Sequence, residues 1–185
     1  CSVLGRSAGE SAAKYASSTE YPPIDREQIA TLKENFYADL GKTGINPEVV
    51  ITEILRTIYP YDVCVLKSEA SLKKALARIE MIRDELLPEM DSRDLHYLAK
   101  SKDVRSMALM AEMFLRASLM RKESRASHYR IDYPARDDRN WLKWIIINYE
   151  GGKLSLGTEP LPLDKYRIKS WGCYSDNFHF PRVGP

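Results

Sequence analysis

The chain has 185 residues, 44% of them hydrophobic and 29% charged, which is enough for one domain with a core, or a domain plus an appendage. Its 28 basic and 26 acidic residues leave a formal net charge of +2, so the total calls for neither a nucleic acid nor an anionic membrane as partner. No apolar run approaches the ~20 residues that cross a bilayer, and the densest stretch, Trp144 to Ile147, is far shorter.

The first predicted helix, Gly5 to Ala16, places Gly5, Gly9, Ala12, Ala13 and Ala16 at helical spacing. Small residues in that pattern let one helix backbone approach another closely, so this helix is expected to lie against a neighbour. Tyr21-Pro22-Pro23 ends it, because proline cannot continue a helix and restricts the residue before it. A second helix starts at Asp25, a capping residue with Gln28 three positions on. Its stripe is Ile29, Leu32, Phe36 and Leu40, and Gly41 and Gly44 end it. Asn46 and Pro47 open a third helix as cap and first helical residue; Val50, Ile54, Leu55 and Ile58 form its inner face and Pro60 closes it.

A fourth helix begins near Ser68. Leu72, Ala75, Leu76, Ile79, Ile82 and Leu86 recur at spacings of three and four until Pro88 breaks or kinks it. The pattern then predicts a short helical piece over 92–100 and a separate long helix over 103–121. The buried stripe of that long helix is read as Met107, Met110, Ala111, Phe114 and Ala117, filling an irregular core and not forming a binding groove. Periodicity stops over 124–139. Ile145, Ile147 and Tyr149, then Leu154 and Leu156, flank Gly151-Gly152 and predict a hairpin with a two-residue glycine turn. The tail from Thr158 reads as extended. The fold class is therefore mainly α: an up-and-down bundle of three to four long helices, then a small C-terminal β-hairpin and an extended tail.

Catalytic constellations are not legible. His96, His128 and His179 form no HxxxH or HExxH pair, and no Cys/His cluster has zinc spacing. There is no GxGxxG and no P-loop, and Gly5-Arg6-Ser7-Ala8-Gly9 lacks the strand and spacing of a phosphate loop. Cys1, Cys64 and Cys173 are odd in number and far apart, which points to a reducing, cytoplasmic compartment; Cys64 reads as a small buried hydrophobe. The start, Cys1 to Arg6, lacks an initiator Met and a signal-peptide pattern, so the sequence is expected to begin inside something longer or to have been processed.

One segment is chemically dense: Glu123-Ser124-Arg125-Ala126-Ser127-His128-Tyr129-Arg130-Ile131-Asp132-Tyr133-Pro134-Ala135-Arg136-Asp137-Asp138. A solvated loop, a nucleic-acid surface and a polar docking lattice compete for it. The interleaved acids would repel phosphate and argue against nucleic acid. Arginine forks pairing with aspartate would fix the register of a docked domain. Arg125, His128, Arg130, Asp132, Arg136 and Asp137 are the candidate docking residues, weighed against pairing only with each other inside the chain.

That segment resembles the E-S-R-G-x-H-x-R-x-D-Y-P-x-R-D-D signature in the C-terminal region of the fumarate reductase and succinate dehydrogenase flavoprotein family. L-aspartate oxidase is a more distant relative, as is the adenylylsulfate reductase alpha subunit. Val3-Leu4-Gly5-Arg6-Ser7-Ala8-Gly9-Glu10-Ser11-Ala12-Ala13 resembles the helix that closes the family's FAD-binding domain, and Thr158-Glu159-Pro160, Leu163 and Tyr166 resemble its tail. Ala126-Ser127 departs from the usual Gly-Ala, Trp144 stands where His is common, and 171–185 has no counterpart.

The resemblance implies a division into 1–20, the last helix of a truncated FAD-binding domain; 21–140, the helical bundle; and 141–185, hairpin and tail. It implies FAD in a full-length parent that moves hydride between flavin and a dicarboxylate, and none in this chain. The family's catalytic, cofactor-binding and metal residues match nothing here, so none is assigned and the chain alone is expected to be inactive. Expected partners are the parent's own FAD-binding and capping domains, and an iron–sulfur or cytochrome subunit, with no nucleic acid and no direct membrane insertion. The expected location is cytoplasmic, with membrane association through partner subunits. The competing class is a non-catalytic helical protein–protein interaction module.

Overall fold

The structure, a computed structural model, describes residues 2–165, and the chain divides into two units, Cys1–Ala38 and Asp39–Pro185. The first unit holds α1 (Ser2–Ser18) and α2 (Arg26–Tyr37). Asp25 caps α2: its carboxylate accepts from the Gln28 N–H at 2.9 Å, satisfying one of the orphan donors of a first turn. Every side chain described from Val3 to Ala38 is exposed, Ile29, Leu32 and Phe36 of the α2 stripe included. That stripe is not part of the buried core cluster.

The second unit is built on α3 (Pro47–Ile58), α5 (Glu69–Met81) and α6 (Leu95–Met120), which pack against one another. Between α3 and α5 come a one-turn helix, α4 (Tyr61–Cys64), and a two-residue strand, β1 (Leu66–Lys67). Asn46 caps α3 through the Glu48 N–H, and Ser68 caps α5 in a reciprocal box with Ser71. The core comprises Val50 and Ile54 of α3, Val63 of α4, Leu72, Ala75 and Ile79 of α5, Ile82, Leu87 and Met90 beyond it, and Val104, Ala108, Ala111 and Leu115 of α6. Each buried Leu or Ile contributes about 1.5–3 kcal/mol.

The glycines at 41 and 44 have duties apart from ending α2, which stops at Tyr37. Gly41 takes φ +93°, a left-handed turn conformation. A Cβ on Gly44 would collide with the carbonyl of Glu89, because the chain crosses closely there: Ile45 N–H donates to Glu89 O at 2.7 Å and Asp91 N–H to Ile45 O at 2.8 Å. Near Pro88, α5 widens into a π-helical turn, Ile82–Leu86, then tightens into a 3₁₀ turn, Leu87–Glu89. The widening accommodates a residue that lacks an N–H and clashes with the preceding turn.

Two expectations about α6 need correction. The short piece over 92–100 and the long helix over 103–121 are one helix of 26 residues. The polar run Lys100-Ser101-Lys102-Asp103 does not interrupt it, because buried Ser101 returns its hydroxyl to Leu98 O at 2.9 Å and meets Ser92 Oγ at 3.0 Å. The buried face of α6 is also rotated from the expected stripe. Leu98, Ser101, Val104, Ala108, Ala111 and Leu115 face the core, whereas Met110 is 63% exposed. Ala111 of the expected stripe is in the core and Met107 packs against it, and Met107, Met110 and Phe114 line an open apolar groove of about 400 Å³ with Ile54, Leu55 and Ile58.

After α6 a second two-residue strand, β2 (Tyr129–Arg130), pairs in parallel with β1, and α7 (Asp138–Trp141) leads to the hairpin β3 (Lys143–Glu150) and β4 (Lys153–Pro160). Glu150 pairs with Lys153 across Gly151 and Gly152, both at positive φ as a two-residue glycine turn requires. Thr158–Pro160 belongs to β4 and Leu163–Lys165 is a 3₁₀ turn, so the described start of the tail is not merely extended. The remainder, 166–185, lies outside the described residues. Cys64 is half-buried, its thiol donating to Tyr59 O at 3.3 Å. No helix among the described residues is long and apolar enough to cross a membrane.

Candidate functional site

The dense segment folds into an ordered loop between α6 and the hairpin, and it separates into two linked charge clusters. Glu123 is the centre of the first. It is fully buried and accepts from Arg121 Nη1 at 2.7 Å, from Arg125 Nε and Nη2 at 2.7 and 2.9 Å, and from the Asp137 N–H at 2.8 Å. Arg125 also donates to Asp138 at 2.6 Å, and Arg136 Nε reaches the same oxygen at 2.7 Å. Asp137 caps α7 through the Asn140 N–H at 3.1 Å. Arg121 extends the cluster to the hairpin root, donating to Trp141 O at 3.1 Å and Lys143 O at 2.9 Å. Charge-assisted bonds of this kind are about twice as strong as neutral ones.

Arg130 and Asp132 make the second cluster. Arg130 is 0% exposed. Its Nη1 donates to Ser118 O at 2.8 Å, one of the carbonyls that the end of α6 leaves without helical donors. Its other nitrogens hold Asp132 in a two-point pair at 2.7 and 2.6 Å. Asp132 in turn accepts from the Glu69 N–H at 2.9 Å, in the first turn of α5. A cation thus sits at the negative end of one helix dipole, an anion at the positive end of another, and the two are bonded to each other. The Arg130 side chain holds the Asp132 carboxyl down at about 2. The parallel ladder of Leu66 with Tyr129 and Lys67 with Arg130 carries the backbone across, and the Ile131 N–H donates to Lys67 O at 2.9 Å.

His128 lies between the clusters. Its Nε2 is 3.2 Å from Arg121 O, and burial pushes its pKa below the usual histidine value. The backbones of Arg125 and His128 exchange both hydrogen bonds in a tight turn that puts Ala126 at φ +50°. That is the position where the signature has glycine, and a left-handed conformation costs a residue with a Cβ about 1–2 kcal/mol. Ser124 closes the loop, accepting from the Arg130 N–H and donating to Tyr133 O, both at 2.8 Å.

All six candidate residues therefore fall in one structural joint. Arg125, Arg136 and Asp137 meet around Glu123 and Asp138; Arg130 and Asp132 meet at the helix ends; His128 bridges to Arg121. Glu123, Arg121 and Asp138 belong to the joint too, although residue types alone did not mark them. The available signal was that a carboxylate two residues before Arg125 must be balanced if buried. Lys67, buried with its ammonium donating to Cys64 O at 2.8 Å, stands far from the joint in sequence and carried no signal. The arrangement provides no nucleophile–base pair; it fixes the end of α6, the start of α5 and the root of the hairpin in one register. Among the described residues no group of three or more His, Cys, Asp or Glu could hold a metal ion.

A family model described as "Fumarate reductase flavoprotein C-term" matches residues 52–171. One polypeptide of the CoM/CoB fumarate reductase of Methanothermobacter marburgensis is 32% identical over 154 residues, 79% of this chain and 27% of that protein. An uncharacterized FAD-dependent oxidoreductase of Methanocaldococcus jannaschii is 29% identical over 146 residues, 78% of this chain and 26% of that protein. Among solved structures, a quinol–fumarate reductase with menaquinol molecules superposes with a TM-score of 0.76 at 20% identity, over 89% of this chain and 30% of that one. The likeness to that structure establishes the fold, and the chain spans between a quarter and a third of these relatives' lengths.

Proposed function

Since the chain belongs to the fumarate reductase flavoprotein C-terminal family, we propose that it is the helical C-terminal domain of an FAD-dependent oxidoreductase acting on a dicarboxylate, and that its work is scaffolding. The observation that carries this reading is the joint at 121–138, which lies inside the matched region and is built of structural pairs with no reacting group among them. In this reading residues 1–20 are the closing helix of the FAD-binding domain, 21–140 the bundle, and 141–185 hairpin and tail. FAD would be held by the preceding domains; the FAD-dependent oxidoreductase relative supports flavin in the parent. Partners would be those domains and an iron–sulfur or cytochrome subunit, through which a cytoplasmic enzyme would reach the membrane.

The same reading gives Arg125, His128, Arg130, Asp132, Arg136 and Asp137 a second duty, docking the bundle onto the parent's other domains. Partial exposure of the Arg125, Asp132 and Arg136 side chains supports it. The test is to express the full reading frame that contains this chain and measure bound flavin. Flavin at one per chain, lost when 21–165 is deleted and reduced by Arg125→Ala, supports scaffolding and docking. A full-length product without flavin overturns the enzyme reading and leaves the interaction module. Unchanged flavin retention and stability in Arg125→Ala sinks the docking role alone.

A further inference from the structure

The tip of the β3–β4 hairpin stands over the end of α5 and the middle of α6, and the cleft between them has a volume of about 750 Å³. It shares no residue with the joint at 121–138. Its size falls in the range of about 300–1,000 Å³ that small-molecule sites occupy. Leu87, Leu109, Leu154 and Tyr149 supply apolar wall, while Arg83, Arg105, Arg116 and Lys153 bring four cationic heads.

Two of those cations are already paired. Arg83 donates to Asp84 at 2.8 Å and to both oxygens of Glu112 at 2.9 and 2.8 Å. Arg116 donates to Glu112 at 2.8 Å and to Glu80 at 2.6 Å. Glu112 is buried and both its oxygens are taken, so these two guanidiniums and three carboxylates form a closed frame between α6 and the end of α5, in which both cations are spent. Arg105 is different. Its Nη2 makes only a long contact of 3.4 Å with Asp39, and its Nε is buried with no hydrogen-bond partner. A buried donor left without an acceptor costs about 1–3 kcal/mol, and arginine cannot shed its proton to escape that cost. Native structures keep few such groups. The Nε itself is enclosed, so a ligand in the cleft would meet the rest of this guanidinium, which lines the cleft on a side chain 36% exposed and is held by the long Asp39 contact. Lys153, exposed on the hairpin side, adds a second cation.

We propose that this cleft binds a small amphiphilic carboxylate, its head on Arg105 with Lys153 as second cation, its apolar body against Leu87, Leu109 and Leu154. This site is separate from the flavin chemistry proposed above and stands or falls without it.

Calorimetric titration of the full chain tests the assignment with three probes: 4-phenylbutyrate, the uncharged 4-phenylbutyramide, and inorganic phosphate as an anion without a body. The carboxylate should bind saturably at millimolar concentration or below. The amide, and the carboxylate on Arg105→Gln, should each bind at least about tenfold more weakly, as loss of a charge-assisted hydrogen bond requires. Phosphate should also be weaker than the carboxylate. Lys153→Gln, at an exposed position, should lower affinity and flatten its salt dependence, and it decides the matter if Arg105→Gln does not fold. No saturable binding, equal binding of the amide, indifference to both substitutions, or phosphate binding as tightly as the carboxylate would each overturn the proposal.

Discussion

Residues 26–37 and 69–81 are two capped helices with comparable apolar stripes, and they meet opposite fates. In α5 the stripe Leu72, Ala75 and Ile79 is fully buried against α3 and α6. In α2 the stripe Ile29, Leu32 and Phe36 is exposed. Both helices begin with a real side-chain cap, so local signals do not separate them. The difference lies in where the complementary surface sits. For α5 it is within its own unit; for α2 and the small-residue face of α1 the proposed partner is the parent's preceding domain. An apolar stripe says that a helix needs a partner, and only the packing says whether the partner is on the same stretch of chain.

Substitutions should therefore divide by region. The largest loss is expected from Arg130→Met, which strips the end of α6 and leaves Asp132 without its partner. Breaking a buried pair from one side costs about 3–5 kcal/mol. Urea unfolding of the full chain would show it, and a midpoint no lower than that of the exposed Arg56→Ala variant would mean that the joint holds nothing. Next comes Gly44→Ala, whose Cβ meets the Glu89 carbonyl; overpacking against backbone costs about 1–3 kcal/mol, read as a fall in thermal midpoint.

Acid should act on the same joint. The Asp132 carboxyl is held at about 2 in the folded chain, against roughly 3.9 when unfolded. Because the folded value is the lower one, its stabilisation is present above about pH 4 and fades as pH falls towards 2. Thermal midpoints of wild type and Asp132→Asn should differ by a constant amount above that window and converge below it. Divergence on acidification would contradict the pairing.

Ala126→Gly should raise stability by about 0.5–1 kcal/mol, the relief of a left-handed Ala less the extra chain entropy of glycine. The smallest change is expected from Leu32→Gln, within about 0.5 kcal/mol in this chain. The same substitution should lower flavin retention in the full-length parent, where the comparison predicts that α2 is covered.

Much of the fold was legible because it is written locally. Asp25, Asn46-Pro47 and Ser68 mark helix starts, and Gly151-Gly152 marks the hairpin turn where both residues need positive φ. What failed was phase and continuity in α6. Of the expected stripe, Ala111 is in the core and Met107 packs against it, whereas Met110 and Phe114 are exposed and Ser101 and Ala108 are buried instead. Ser101 looks like a break until its hydroxyl is seen to be returned to its own helix. In the candidate site, the six residues were picked by type as docking candidates, and Ala126 was noted only as a departure from glycine. Their arrangement was not legible, since whether Glu123 meets Arg125 or solvent depends on burial that no spacing rule encodes.

The most direct test is amide hydrogen exchange, followed by mass spectrometry, on this chain and on the full-length protein that contains it. Residues 39–165 should be protected in both, while 1–38 should exchange freely in the chain and become protected in the full-length protein. Equal protection of 1–38 in the two samples would contradict the assignment of their partner to the preceding domain.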